Sequence, residues 1–284
     1  MFYSASNAKL KVNDEEILAS NASLSLSTSL QPNYLITQRN TSDQVASDGV
    51  GGTLSFSYYL TGTDYFKSFI TGQGEKSKET TVIAGNFGGL IFDSGYLTSY
   101  SVNFGPNTPA AASATVSFFD DLKGEFTPVE ELAPDIAEVL NFRNAAVSSV
   151  GNVFESGDVE NFVAGAYNYS AEVKPVYLIN ETKPSAVSFG PKNVNLNFEI
   201  DSPSGYLPFS GVSAKVSVDL KNSAEDVVEN FTCDGALQQR NLGSAAGDYI
   251  KQTINIVEAA TEESVVTNAA GGKLTVNENT HGYP

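Results

Sequence analysis

The chain has 284 residues, room for two domains of ordinary size that each bury a core. Hydrophobic residues make up 41% of it, which places it among globular rather than disordered chains. Against 33 Asp and Glu stand 16 Lys and Arg, a formal charge of -17 that disfavours a basic grip on nucleic acid. One Cys, one His and no Trp exclude a disulfide framework within the chain and a cysteine metal cluster. No apolar run approaches the roughly 18–20 residues of a membrane helix. The opening MFYSASNAKLKVNDEE lacks the basic end and apolar stretch of a signal peptide, so no membrane and no export are expected.

Lys9–Val12 and Glu16–Ala19 flank Asn13-Asp14, a turn signal, and read as a small opening hairpin. Ala22–Leu30 alternates small or polar residues with Leu24 and Leu26, the period of a half-buried strand. Gln31–Gly49 is polar and too long for a hairpin turn, so it reads as a projecting loop. Gly52–Leu60 is the clearest strand, with Leu54, Phe56 and Tyr58 set against Thr53, Ser55 and Ser57. Its polar face is hydroxyl rather than charge, as expected of a face that packs on other protein. Asp64–Ile70 has helical spacing, and Thr63 or Asp64 can cap it. Gly72–Thr81 reads as a loop, Val82–Ala84 as the start of a strand, and Gly85–Gly89 as a turn rather than a phosphate loop. Next come a turn at Asp93-Ser94-Gly95, a strand at Leu97–Phe104, a Gly-Pro-Asn connection and a strand at Ala112–Phe119. The last carries Ala114, Val116 and Phe118 on one face and Ser113, Thr115 and Ser117 on the other.

Thr127–Ser149 is interrupted by Pro128 and Pro134, and Asp135–Phe142 reads as a short helix started by Pro134-Asp135. Thereafter the order of parts repeats. Tyr167–Asn180, with Ala171, Val173, Val176 and Ile179, takes the place of Ala22–Leu30, followed by a shorter intervening loop. Val187–Ile200 matches Gly52–Leu60, and Ser210–Leu220 is a further alternating strand. Ala224–Phe231 reads as a second short helix, acidic in its first turn. Thr232–Ala259 echoes the earlier strand pair, with a turn at Cys233-Asp234-Gly235 and a last strand at Tyr249–Val257. The expected organisation is a mainly β chain: a first β domain over 1–126, a connector over 127–149 and a second β domain over 150–260, with one short helix per domain. A polar tail or arm follows over 261–284.

The paired acids Asp14-Glu15-Glu16, Asp120-Asp121, Glu130-Glu131, Glu225-Asp226 and Glu262-Glu263 read as solvated loop and strand ends, not as a glycosidase pair. Cys233 reads as a small packed residue, and a catalytic dyad is hard to build on His281, near the end of the sequence. No Ca²⁺ loop, nucleophile elbow or phosphate loop is present in the sequence. The sequence therefore assigns no catalytic residue, cofactor or metal, and the chain is not expected to be an enzyme. A carbohydrate-active β protein is the enzyme alternative, with Tyr substituting for the missing Trp.

Two small β domains in tandem, each with a short helix and with a long loop early in the first, resemble the tail-tube proteins of long-tailed bacteriophages and the related tube of type VI secretion. The residues that carry the resemblance are Ala22–Leu30, Gln31–Gly49, Gly52–Leu60, Asp64–Ile70 and the strand pair ending ASATVSFFDDL. Their second copies are Tyr167–Asn180, Val187–Ile200, Ala224–Phe231 and Thr232–Ala259. The resemblance implies tandem sandwich or barrel domains that each lend a sheet to a channel-lining barrel. It implies a virion structural protein of the phage tail, made in the host cytoplasm. Three or six chains would close a ring, rings would stack into a tube beside other tail proteins, and DNA would be a non-specific passenger. In that reading the early loop, with Pro32, Asn33, Tyr34, Arg39, Asp43 and Asp48, contacts the neighbouring ring. A neck or tail-terminator ring, a capsid decoration protein and a surface adhesin remain alternatives.

Overall fold

A computed structural model describes residues 9–28, 30–33, 43–46, 51–72, 82–105, 108–119, 122–128, 138–141, 145–150, 161–179, 184–201, 213–244, 246, 249–258, 265–268 and 273–275. The first strands, β1 (Leu10–Val12) and β2 (Glu15–Ile17), form the expected opening hairpin. Asn13 and Asp14 turn it with φ of 46° and 68°, a left-handed pair that short polar side chains tolerate. Next come β3 (Ala19–Ser27), β4 (Leu30–Asn33), β5 (Asp43–Ala46) and β6 (Gly51–Tyr59). Leu54, Phe56 and Tyr58 of β6 are buried, as their alternation predicts. In β3 Leu24 is partly buried, whereas Leu26 is 44% exposed.

Helix α1 (Tyr65–Gly72) stands where its spacing places it, and the Phe66 amide donates to Asp64 Oδ1 at 2.8 Å. Strands β7 (Ile83–Phe87), β8 (Leu90–Phe104) and β9 (Ala111–Phe118) follow, with Gly88 and Gly89 turning β7 into β8 at positive φ. The second half holds β10 (Ala146–Val150), β11 (Phe162–Val176), β12 (Ala186–Asp201), β13 (Ser213–Lys221), β14 (Val227–Gly243) and β15 (Lys251–Glu258). Last come β16 (Val265–Asn268) and β17 (Lys273–Thr275).

Several expectations change. Asp93-Ser94-Gly95 is not a turn; β8 runs through it, with a register shift opposite Ile83 and Gly85 of β7. The turn-like composition marks a bulge. Cys233-Asp234-Gly235 likewise lies inside β14, not at a turn. Ala224–Phe231 is not a helix. Asn222 Oδ1 accepts from the Ala224 and Asp226 amides at 3.0 and 2.9 Å, Glu225 sits at φ 66°, and Val227 opens β14 opposite Lys221. A local side-chain turn and two β-branched valines outweigh the acidic helix-start signal. In the connector, Glu138–Asn141 is not helical: the Leu140 amide bonds Leu60 O at 2.7 Å and its carbonyl takes Ala110 N at 2.8 Å. The rest of that proposed helix lies outside the described residues, apart from the same four. Val176 and Ile179 do not face the core, Ile179 being 93% exposed. Within 261–284, β16 pairs with β12 and β17 pairs with β16.

All described strands except β4 and β5 join one open antiparallel sheet of 15 strands. β4 and β5 pair in a separate two-stranded sheet. Hydrogen bonds cross from the first half to the second where Ser99–Phe104 of β8 pairs with Gly165–Ser170 of β11. One continuous apolar cluster holds residues of both halves, from Leu10 and Phe118 to Phe231 and Ile256. Phe231 lies 5.6 Å from Phe104 and 5.3 Å from Tyr167, ring centre to ring centre.

Candidate functional site

The two halves pair their strands in one order. The first runs β1-β7-β8-β9-β6-β3, the second β10-β13-β14-β15-β12-β11. Register agrees too. Leu24, Leu54, Val116 and Leu97 form a row across β3, β6, β9 and β8. Tyr167, Leu196, Ile256 and Leu237 form the matching row across β11, β12, β15 and β14. A bulge between Ala19 and Asn21 of β3 has its counterpart between Phe162 and Ala164 of β11. One between Leu97 and Ser99 of β8 has its counterpart between Leu237 and Gln239 of β14. Bulges re-aim strands and disrupt a ladder locally, so their recurrence at matched positions is a specific likeness.

The eight strands from β3 to β14 share a polar face. It carries Ser23 and Ser25 on β3, Ser55 and Ser57 on β6, Ser113 and Thr115 on β9, Ser99 and Ser101 on β8, and continues with Asn168, Asn195, Asn197, Thr253 and Asn255. Cross-strand bonds lace it: Ser25 to Thr53 at 2.8 Å, Ser57 to Ser113 at 2.8 Å, and Asn168 Nδ2 donating to Asn195 Oδ1 at 3.0 Å. Glu199, Asp201 and Lys251 gather at one end of β12 and β15, where Lys251 Nζ donates to Glu199 at 3.0 Å. Away from that end, the residues just named make the face hydroxyl and amide rather than acid. Such bonds replace water at small net gain. Ser57→Ala with Ser113→Ala is expected to change stability by no more than about 1 kcal/mol, read as a urea midpoint.

A buried polar cluster ties the halves together. Asp64 and Glu229 are 5% and 3% exposed. The Asp64 amide donates to Glu229 Oε2 at 2.6 Å, and Lys67 Nζ bonds Glu229 Oε1 at 2.5 Å and the Asn230 carbonyl. Tyr58 Oη donates to Asp64 at 2.9 Å, and Tyr100 Oη donates to the same carboxyl. Burial pushes the Asp64 carboxyl above its usual range, against the opposing pull of these donors. Burial and the neighbouring Asp64 raise both tyrosines well beyond theirs. Every acceptor in the cluster faces a donor of the protein itself, an arrangement that holds α1 on β14 rather than one open to a substrate.

Of the residues expected to contact a neighbouring ring, Pro32 and Asn33 fall on β4 and Asp43 on β5, with Asn33 opposite Asp43. Tyr34, Arg39 and Asp48 lie outside the described residues. Burial pushes the Cys233 thiol up to about 12, with Glu258 and Asp234 adding to it. That fits a packed residue and not a nucleophile. The Asp64–Glu229 cluster escaped the sequence reading because its partners lie about half the chain apart. Only the capping role of Asp64 left a local signal. A comparison with known protein families finds no match to this chain, and neither does a comparison with curated proteins.

Proposed function

We propose that the chain is a self-assembling structural subunit of a virion, of the tail-tube type of long-tailed bacteriophages, built as two tandem copies of one β domain. The observation that carries this reading is the continuous β3-to-β14 sheet. It consists of two four-strand blocks with matched registers and bulges, already joined edge to edge inside one chain. A chain that joins its own copies through a strand edge has the means to join further chains. In a ring of three such chains, six blocks would surround a channel. The hydroxyl and amide face would line it, its Lys251 paired with Glu199, offering DNA little grip on phosphate and no apolar wall. The acidic balance of the whole chain adds repulsion at longer range. No catalysis and no cofactor are needed for this work, and rings would stack with one another and with other tail proteins in the virion.

Negative-stain electron microscopy of the purified chain, with mass measurement of the same sample, tests this. Rings or tubes with a central hole and a mass of three or six chains are expected. A monodisperse monomer at every concentration rejects the reading and favours a decoration protein or adhesin. Deleting Asp43–Ser47, which removes the β5 half of the separate hairpin, is expected to leave rings that stack poorly; unchanged tube formation would remove the stacking role from that loop.

A further inference from the structure

We propose that Lys67 and Glu229 close an intramolecular amide bond, Lys67 Nζ to Glu229 Cδ, which joins α1 of the first half covalently to β14 of the second. The proposal goes beyond the assembly reading above and does not rest on it. The surroundings of this pair set it apart from the chain's other ion pairs. Lys9–Glu16, Lys123–Asp93, Lys174–Glu172 and Lys251–Glu199 each have both side chains 30% exposed or more. Exposed pairs of that kind trade partners with water. The Glu229 side chain is 2% exposed and that of Lys67 32%. Both carboxylate oxygens of Glu229 are fixed by backbone: the Asp64 amide donates to Oε2 at 2.6 Å and the Asn230 amide to Oε1 at 2.8 Å. Lys67 Nζ stands 2.5 Å from Oε1, bonds the Asn230 carbonyl and lies 5.7 Å from the centre of the Phe231 ring. Asp64 is itself pinned, because its carboxyl takes the Phe66 amide and the Tyr58 and Tyr100 hydroxyls. The amine and the carboxyl are thus held in one arrangement. Well-oriented groups of this kind react as if at about 10⁵–10⁸ M, which offsets the tendency of water to hydrolyse an amide.

The step balances without a co-reactant. Nζ passes one proton to Oε1, turning the ion pair into an amine and a carboxylic acid. The Nζ lone pair attacks Cδ, and the charge that develops on Oε2 faces the Asp64 N–H, an oxyanion donor already in place. Nζ then gives a second proton to Oε1. The Cδ–Oε1 bond breaks, Oε1 leaves as water, and Oε2 becomes the amide carbonyl. The third proton stays on Nζ, where the Asn230 carbonyl accepts it. One cation and one anion disappear together, and nothing is oxidised or reduced. The new bond would close a loop between residues 162 positions apart, which restricts the unfolded chain and keeps the two halves attached when their strands separate.

Mass spectrometry of the purified full chain tests this. The wild type is expected to weigh one water less than its sequence. Lys67→Arg, which keeps the charge but offers a poor nucleophile, is expected to weigh what its sequence gives. Dehydration elsewhere, as in a succinimide at an Asp-Gly step, would give the same mass, so position decides. After trypsin, the bonded chain should escape cleavage at Lys67 and yield a branched peptide that joins the segment holding Lys67 to Asn222–Arg240, with fragment ions placing the link on Glu229. A wild type at its full sequence mass would overturn the proposal and leave an ion pair. So would a water loss that persists in Lys67→Arg, or one that maps to another residue. The wild-type mass and peptide map decide the matter even if the Arg variant does not fold.

Discussion

Asp64→Ala is expected to destabilise the chain by about 3–5 kcal/mol, measured by urea unfolding. The side chain caps α1 through the Phe66 amide, a contribution of about 1 kcal/mol. It also accepts from the Tyr58 and Tyr100 hydroxyls, both in buried residues, and each hydroxyl left without a partner costs about 1–3 kcal/mol. Asp64→Asn should cost less, because the amide oxygen keeps the cap and the hydroxyls can turn to accept. The same pair of variants reads the carboxyl's charge. Burial raises the Asp64 carboxyl in the folded chain, with the nearby Glu229 adding to the rise. The native state therefore holds its proton to higher pH than the unfolded state does. Stability from this group is greatest in acid and declines as pH climbs from the ordinary carboxylate range through the raised value. The stability difference between wild type and Asp64→Asn should shift in favour of the Asn variant across that window. A difference independent of pH would show that the carboxyl titrates normally.

Elements with a strict local period were legible in the sequence. β6 and β9 show their buried and polar faces residue by residue, and α1 shows its apolar spacing and its cap. The sequence suggested a repeated order of parts; the structure shows one strand order and matched registers in the two halves, but no second helix at Ala224–Phe231. What misled was punctuation. Glycine next to Asp or Ser signals a turn when read locally, yet at Gly95 and Gly235 it marks strand interiors where neighbouring backbone comes close. Acidic residues before Val227 and Val228 signalled a helix start, but pairing with β13 decided the matter, since strand preference depends on partners that no window of sequence contains.

Gly95→Ala and Gly235→Ala should each destabilise the chain by about 1–3 kcal/mol or more, and for one shared reason. Neither glycine is needed for an unusual φ; neither is among the glycines at positive φ. Both are needed for space. A Cβ on Gly95 would stand 2.7 Å from the Ile83 carbonyl oxygen and 2.7 Å from Val116 Cγ1. One on Gly235 would overlap the Val257 carbonyl oxygen and lie 2.6 Å from Glu258 Cα. The obstacle at Gly235 is backbone, which yields less readily than a side chain, so Gly235→Ala should be the costlier of the two. Gly95 opposes Phe118 at the end of β9, and Gly235 opposes Glu258 at the matching end of β15. These are the same position in the two blocks, two residues before the matched bulge. If the blocks are copies of one design, both substitutions must hurt, and urea midpoints of the two variants measure it. A neutral Gly95→Ala beside a damaging Gly235→Ala would mean that the likeness of the blocks stops at strand order and does not reach their packing.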